Sequence, residues 1–124
     1  MAEILLIEDD KAVTRALATL LRDAGYRVTV SHTAADAMAH VQQSRPAAVL
    51  VDIHLPDLNG LVLCQKIRER LGPDVSIVIM SGDTAMENIN ALPFVGASYF
   101  LAKPVNPAYL IERLGEWTRG KVQA

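Results

Sequence analysis

The chain has 124 residues, 51% of them hydrophobic, and 12 basic against 14 acidic side chains give a formal net charge of −2. That is enough apolar material for one buried core and too little charge imbalance for a disordered segment. A sequence pI of about 5.9 gives no general attraction for nucleic acid or an anionic membrane, and no apolar stretch approaches the roughly 18–20 residues of a membrane span.

The chain opens directly on an apolar run, Ile4-Leu5-Leu6-Ile7, closed by Glu8-Asp9-Asp10. It lacks the basic start and apolar centre of a signal peptide, and its lone Cys64 forms no internal disulfide, so a cytoplasmic home is expected. The first strand is predicted over 3–8. A helix over 10–24 carries Val13, Leu17, Leu20, Leu21 and Ala24 on one face, stopped by Gly25. A strand over 26–31 and a helix over 34–43 follow. The third strand, 47–52, ends in Asp52, after which the chain turns through His54-Leu55-Pro56-Asp57-Leu58-Asn59-Gly60.

A helix over 59–71 places Leu61, Cys64, Ile67, Arg68 and Leu71 three or four apart and stops at Gly72-Pro73. The fourth strand, 75–80, is closed by Ser81. The next helix, 83–92, is the weakest: Asn88 and Asn90 lower its propensity, and Pro93 should end or kink it near Leu92. The last strand, 98–102, runs into Lys103-Pro104. A final helix, 106–119, has Asn106 as cap, Pro107 at its first position, and Tyr109, Leu110, Leu114 and Trp117 along one side. Residues 120–124 read as a frayed tail.

Strands and helices alternate throughout, and four of the strands are almost continuously apolar. That pattern belongs to a parallel sheet covered on both faces, a doubly wound α/β layer with right-handed crossovers. One domain over 1–124, with its core over about 3–119, accounts for the whole chain.

In open parallel sheets ligands bind beyond the carboxyl ends of the strands. Glu8, Asp9, Asp52, Ser81 and Lys103 all fall at such ends. Carboxylates gathered there repel one another unless a cation joins them, and Mg2+ suits a few carboxylates with remaining positions for water and a phosphoryl oxygen. A carboxylate such as Asp52 can attack phosphorus to give an acyl phosphate. Such a transfer needs little beyond positioning and neutralised oxygens. Lys103 adds a positive charge, and the Ser81 hydroxyl can donate to a phosphoryl oxygen.

Other polar residues take plainer readings. Asp10 and Asp83 are expected to cap helices, and Asp57 to form a turn with Pro56. His32, His40 and His54 show no metal-ligand spacing. Cys64 is a small core filler, Trp117 a packing or partner-contact residue, and Met80 and Met86 lie in or near the core.

The motifs Ile4-Leu5-Leu6-Ile7-Glu8-Asp9-Asp10, Val51 through Gly60, Met80-Ser81-Gly82 and Phe100-Leu101-Ala102-Lys103-Pro104 together resemble the response-regulator receiver domain of two-component signalling. The resemblance implies a flavodoxin-like fold with strand order 2-1-3-4-5. It makes Asp52 the phosphoacceptor and Glu8, Asp9, Asp52 and the backbone carbonyl of His54 the Mg2+ ligands. Lys103 would pair with Asp52 and then with the phosphoryl oxygens. Ser81 and Phe100 would be the switch residues, and the Lys103–Pro104 peptide cis. Family members tune dephosphorylation at the positions of His54 and Asp83, which here could pair across the site. Two departures stand out: Glu8 replaces a more frequent Asp, and Phe100 a frequent Tyr.

The implied donor is a histidine kinase or phosphotransfer protein, docking near Ala12, Val13 and Ala16. The implied output is a downstream protein or a fused output domain, since none fits within these residues. Such a protein is not an enzyme toward an external substrate. Three alternatives remain: a Mg2+-dependent phosphatase with an aspartyl nucleophile, a receiver-like scaffold that is not phosphorylated, and a flavin- or nucleotide-binding module. The last is disfavoured because Glu8-Asp9-Asp10 would repel a phosphate. No Lys or Arg occurs between Arg70 and Lys103. The sequence therefore predicts no salt-bridged dimer through the fourth helix and fifth strand.

Overall fold

Five parallel strands form a single sheet in the order β2-β1-β3-β4-β5. The computed structural model describes residues 2–82 and 86–119, with only the backbone for 86 and 87. Asp83, the Met86 side chain and residues 120–124 lie outside the described part. The strands are β1 (Glu3–Ile7), β2 (Arg27–Ser31), β3 (Ala48–Asp52), β4 (Ser76–Ser81) and β5 (Tyr99–Ala102). The helices are α1 (Lys11–Asp23), α2 (Ala34–Val41), α3 (Gly60–Leu71), α4 (Met86–Val95) and α5 (Pro107–Trp117). The doubly wound α/β layer and its strand order are as the sequence led us to expect.

Alternation along the strands explains why they read as unbroken apolar runs. Leu5, Ile7, Val49, Val51, Ile77 and Ile79 face a core with Ala37, Val41, Leu63, Cys64 and Ile67 from α2 and α3. Ile4, Leu6, Ala48, Leu50, Val78 and Met80 face Leu17, Ala18 and Leu21 of α1 and Leu110, Leu114 and Trp117 of α5. With both faces apolar, a one-residue slip would exchange one greasy face for another at little cost. We attribute the register instead to the charged ends, since a slip would drive Glu3, Glu8 or Asp52 into the sheet.

Local signals set most helix ends. Asp10 caps α1, accepting from the Ala12 and Val13 N–H groups at 2.9 and 3.1 Å. Asn59 caps α3 and Asn106 caps α5. On α1 the buried residues are Thr14, Leu17, Ala18 and Leu21. Leu20 and Ala24, assigned above to the apolar face, flank this stripe and are exposed, and so is Tyr109 on α5, beneath the Arg113 guanidinium. Burial pushes the Cys64 thiol up to about 11, fitting an inert core position.

Of the two outcomes expected at Pro93, a helix end near Leu92 does not occur: α4 runs through Pro93 to Val95. Its last turn is held from outside. Leu92 and Val95 pack against the α2–α3 core, and the Cys64 thiol and Arg68 guanidinium of α3 donate to the Val95 and Gly96 carbonyls.

Candidate functional site

The carboxyl ends of β1 and β3 lie side by side, with Ile7 opposite Val51, so the residues that follow them meet at one edge of the sheet. Glu8 is buried, Asp9 is exposed, and Asp52 is the buried last residue of β3. Each of the three carboxylates places one oxygen within 4.8 Å of the others.

Lys103, just past β5, reaches across from the far side of β4. Its backbone N–H donates to the Ser81 carbonyl at 2.9 Å, prolonging the β4–β5 pairing. Its ammonium donates to Asp52 Oδ2 at 3.0 Å and to Glu8 Oε1. The following peptide, Lys103–Pro104, is cis. The second Asp52 oxygen, Oδ1, accepts from the His54 N–H at 3.2 Å.

These contacts shape the charges. Burial raises the Glu8 carboxyl above its ordinary range and the neighbouring Asp52 pushes the same way, against the hydrogen bond from Lys103. Burial also works against the Lys103 ammonium, but Glu8 and Asp52 outweigh it and hold its pKa above the usual lysine value. Among the described residues, the Lys103 ammonium thus pairs with two of the three clustered carboxylates, Glu8 and Asp52. The residual negative charge and the all-oxygen donor set fit a small hard dication.

Ser81 is buried at the end of β4, in register with Ala102, next to the Ile79–Phe100 pair. By alternation Ser81 and Phe100 fall on the same face of the sheet, and Phe100 is half-buried against the α2–α3 core. His54 is exposed, with an isolated bridge to Asn59. Its suggested partner Asp83 lies outside the described residues. On α1, Ala12 and Ala16 are exposed and Val13 is half-buried.

Two contributors were not assigned from sequence. Gly60 opens α3 against the backbone of Asp52, where a Cβ would lie 2.1 Å from the Asp52 carbonyl oxygen. No larger residue fits without moving Asp52, and a glycine opening a helix eight residues after that aspartate was the available signal. Asp57 does more than turn the chain. Its carboxylate accepts from the Ala34 and Ala35 N–H groups at 2.8 and 3.0 Å, tying the loop after Asp52 to the start of α2 and lowering its own pKa. These partners lie more than twenty residues away, beyond any local pattern. On the same side, His32 Nδ1 lies 3.0 Å from the Glu8 carbonyl oxygen.

No helix among the described residues is long and apolar enough to cross a membrane. Residues 4–115 match the family model of the response regulator receiver domain. Among curated relatives, the response regulator MprA of Mycobacterium ulcerans is 32% identical over 112 residues, covering 90% of this chain and 47% of that protein. The Mycobacterium avium protein of the same name is equally similar and is 48% covered. The chain thus spans about half the length of these relatives. Among solved structures, a CheY-like receiver domain protein from Methanospirillum hungatei superposes with a TM-score of 0.89 at 31% identity, covering 94% of this chain and 92% of that one. The chemotaxis response regulator CheY4 of Vibrio cholerae gives 0.86 at 26% identity, covering 94% and 98%. With its acidic edge, its bridging lysine and these likenesses together, the chain belongs to the response regulator receiver domains of two-component systems.

Proposed function

We propose that Asp52 accepts a phosphoryl group from a phosphohistidine of a histidine kinase or phosphotransfer protein, and that the resulting acyl phosphate switches a protein-binding face. The observation that carries this reading is the carboxylate cluster of Glu8, Asp9 and Asp52 with the Lys103 ammonium on Asp52 Oδ2. Glu8, Asp9 and Asp52, with the His54 backbone carbonyl by family likeness, would hold Mg2+, which supplies positive charge to the phosphoryl oxygens. An Asp52 carboxylate oxygen forms the new bond to phosphorus as the bond from phosphorus to the donor imidazole nitrogen breaks. The leaving imidazole then takes up a proton. Lys103, already on Asp52, neutralises charge on the transferred group, and the Ser81 hydroxyl donates to one of its oxygens.

The family position of Ser81 beside the Phe100 row supports a path outward. Drawing Ser81 toward the phosphoryl group opens room for Phe100, and the face of α4, β5 and α5 changes. A bias of a few kcal/mol between two arrangements suffices. Water later hydrolyses the acyl phosphate, and the chain turns over no external substrate. α4 and β5 carry no Lys or Arg, so a dimer held by ion pairs from those elements is not expected.

Acetyl phosphate with Mg2+ should add one phosphoryl group per chain by intact-mass measurement, and Asp52→Asn should take none. An unlabelled wild type, or a labelled Asp52→Asn, sinks the reading. Steady turnover of a small phosphate ester would favour the phosphatase instead.

A further inference from the structure

Arg68, on α3, is the most heavily used donor among the described residues that the proposed chemistry leaves idle. Its Nε donates to the Gly96 carbonyl at 2.8 Å, and Nη1 to the Gly72 and Val75 carbonyls at 2.9 and 2.7 Å. Nη2 donates to Ser98 Oγ at 3.1 Å. One rigid, planar, permanently charged group thus joins the end of α3, the entrance to β4, the turn after α4 and the entrance to β5. The fit is close: Gly96 has a φ of +80°, and a Cβ there would lie 2.7 Å from Arg68 Cγ.

The clamped segment is secured again by its neighbours. Ser98 N–H donates to the Ile77 carbonyl at 2.7 Å, and the Ile77 N–H donates back to Ser98 Oγ at 3.1 Å. Ala97 N–H donates to the Leu92 carbonyl at 3.0 Å, and the Cys64 thiol to the Val95 carbonyl at 3.4 Å. Residues 88–91 are half-buried or exposed, as are 92–98, but it is Leu92, Val95 and Ala97 that pack against the α2–α3 core. Between the two parts stands Pro93, which has no N–H to give the Ile89 carbonyl and interrupts the helical ladder there.

We propose that Arg68 is a positioning residue that fixes the carboxyl end of α4 and the start of β5 to α3. Rearrangement of the α4–β5 face is then a movement of the α4 segment before Pro93 about an immobile carboxyl end. The movement rests on the phosphorylation reading; the clamp does not.

Residue-resolved amide hydrogen exchange on the whole chain separates the two. Arg68→Lys keeps the stem and charge but not the fork. Without ligand, it should speed exchange at Ala97 and Ser98 by about ten- to a hundredfold, the loss expected for bonds from a charged donor. Arg70→Lys, on the same helix but bonded to the end of α2, should leave both amides protected. Unchanged protection in Arg68→Lys, or equal loss in Arg70→Lys, overturns the clamp. With Mg2+ and beryllofluoride, the wild type should change at residues 88–92 and not at 95–98, and Pro93→Ala should shrink that change. Equal change at 95–98 overturns the pivot with the phosphoacceptor reading intact. No change anywhere in the wild type defeats that reading and the movement, while the clamp still stands or falls on the ligand-free arm.

Discussion

The two ends of the sheet handle charge in opposite ways. Beyond the carboxyl ends of the strands, Glu8, Asp9 and Asp52 crowd together, and among the described residues Lys103 pairs with Glu8 and Asp52. At the other end Glu3 is fully supplied. Its Oε1 accepts from Ser44 Oγ at 2.5 Å, while Oε2 accepts from Thr29 Oγ1 at 3.0 Å and lies 3.2 Å from His40 Nε2. Guanidinium groups there meet the carbonyls that helices leave open at their ends. Arg45 donates to Leu71, Arg70 to Val41 and Gln42, and Arg68 to Gly72 and Gly96. One end is built to stay as it is. The other gathers like charges, which fits the proposed site for a dication and a phosphoryl group.

The contrast is open to direct attack. The largest effect should come from Gly60→Ala, whose Cβ cannot fit beside the Asp52 carbonyl. We expect a loss of about 1–3 kcal/mol from overpacking, read by urea denaturation, with slower labelling by acetyl phosphate because residue 52 is displaced. Unaltered stability and labelling would mean that the carboxyl end is far more pliant than its geometry indicates.

Next comes Glu3→Gln, expected to cost about 0.5–1.5 kcal/mol at neutral pH by weakening three bonds to a carboxylate. Burial alone would raise the Glu3 pKa, but Ser44, Thr29 and His40 hold it below the ordinary 4.5. Its contribution is therefore complete above pH 4.5 and is lost as the pH falls through the lower folded value. Glu8, raised by burial from the same 4.5, has the opposite sign: its contribution is complete below pH 4.5 and is lost as the pH rises through the higher folded value. Acid titrations of stability in a chelator should show Glu3→Gln losing less than the wild type below pH 4.5. Parallel curves would erase the distinction between the two ends.

The smallest effect is expected from Asp9→Asn. Removing one of three like charges should raise the melting temperature slightly in a chelator, the reverse of Glu3→Gln. It should also reduce the rise that Mg2+ brings to the wild type. A variant that melts lower in chelator, or gains fully from Mg2+, would show that Asp9 is not part of the crowded end.

How much of this was legible beforehand depended on distance along the chain. Unbroken apolar runs alternating with 3.6-residue patterns specified the doubly wound layer, because the burial they encode is local. Glu8, Asp9, Asp52 and Lys103 could be placed together because each lies at or just past the end of a strand, and parallel strands bring their ends to one edge. Asp57 and Arg68 were beyond reach, since their partners are carbonyls and amides that every residue possesses. The helix end expected at Pro93 did not occur, for a related reason. The local cost of the proline is real, but the α3 groups that sustain the last turn of α4 lie some thirty residues earlier.

Trp117 is the sole indole in the chain, and it stacks on Tyr99 with ring centroids 4.5 Å apart and planes 17° from parallel. Tyr99 directly precedes Phe100 in β5, so the native emission of this protein comes from a fluorophore seated against the strand proposed to switch. Intensity or lifetime recorded during a Mg2+ and beryllofluoride titration would then follow that strand in solution, with no dye attached.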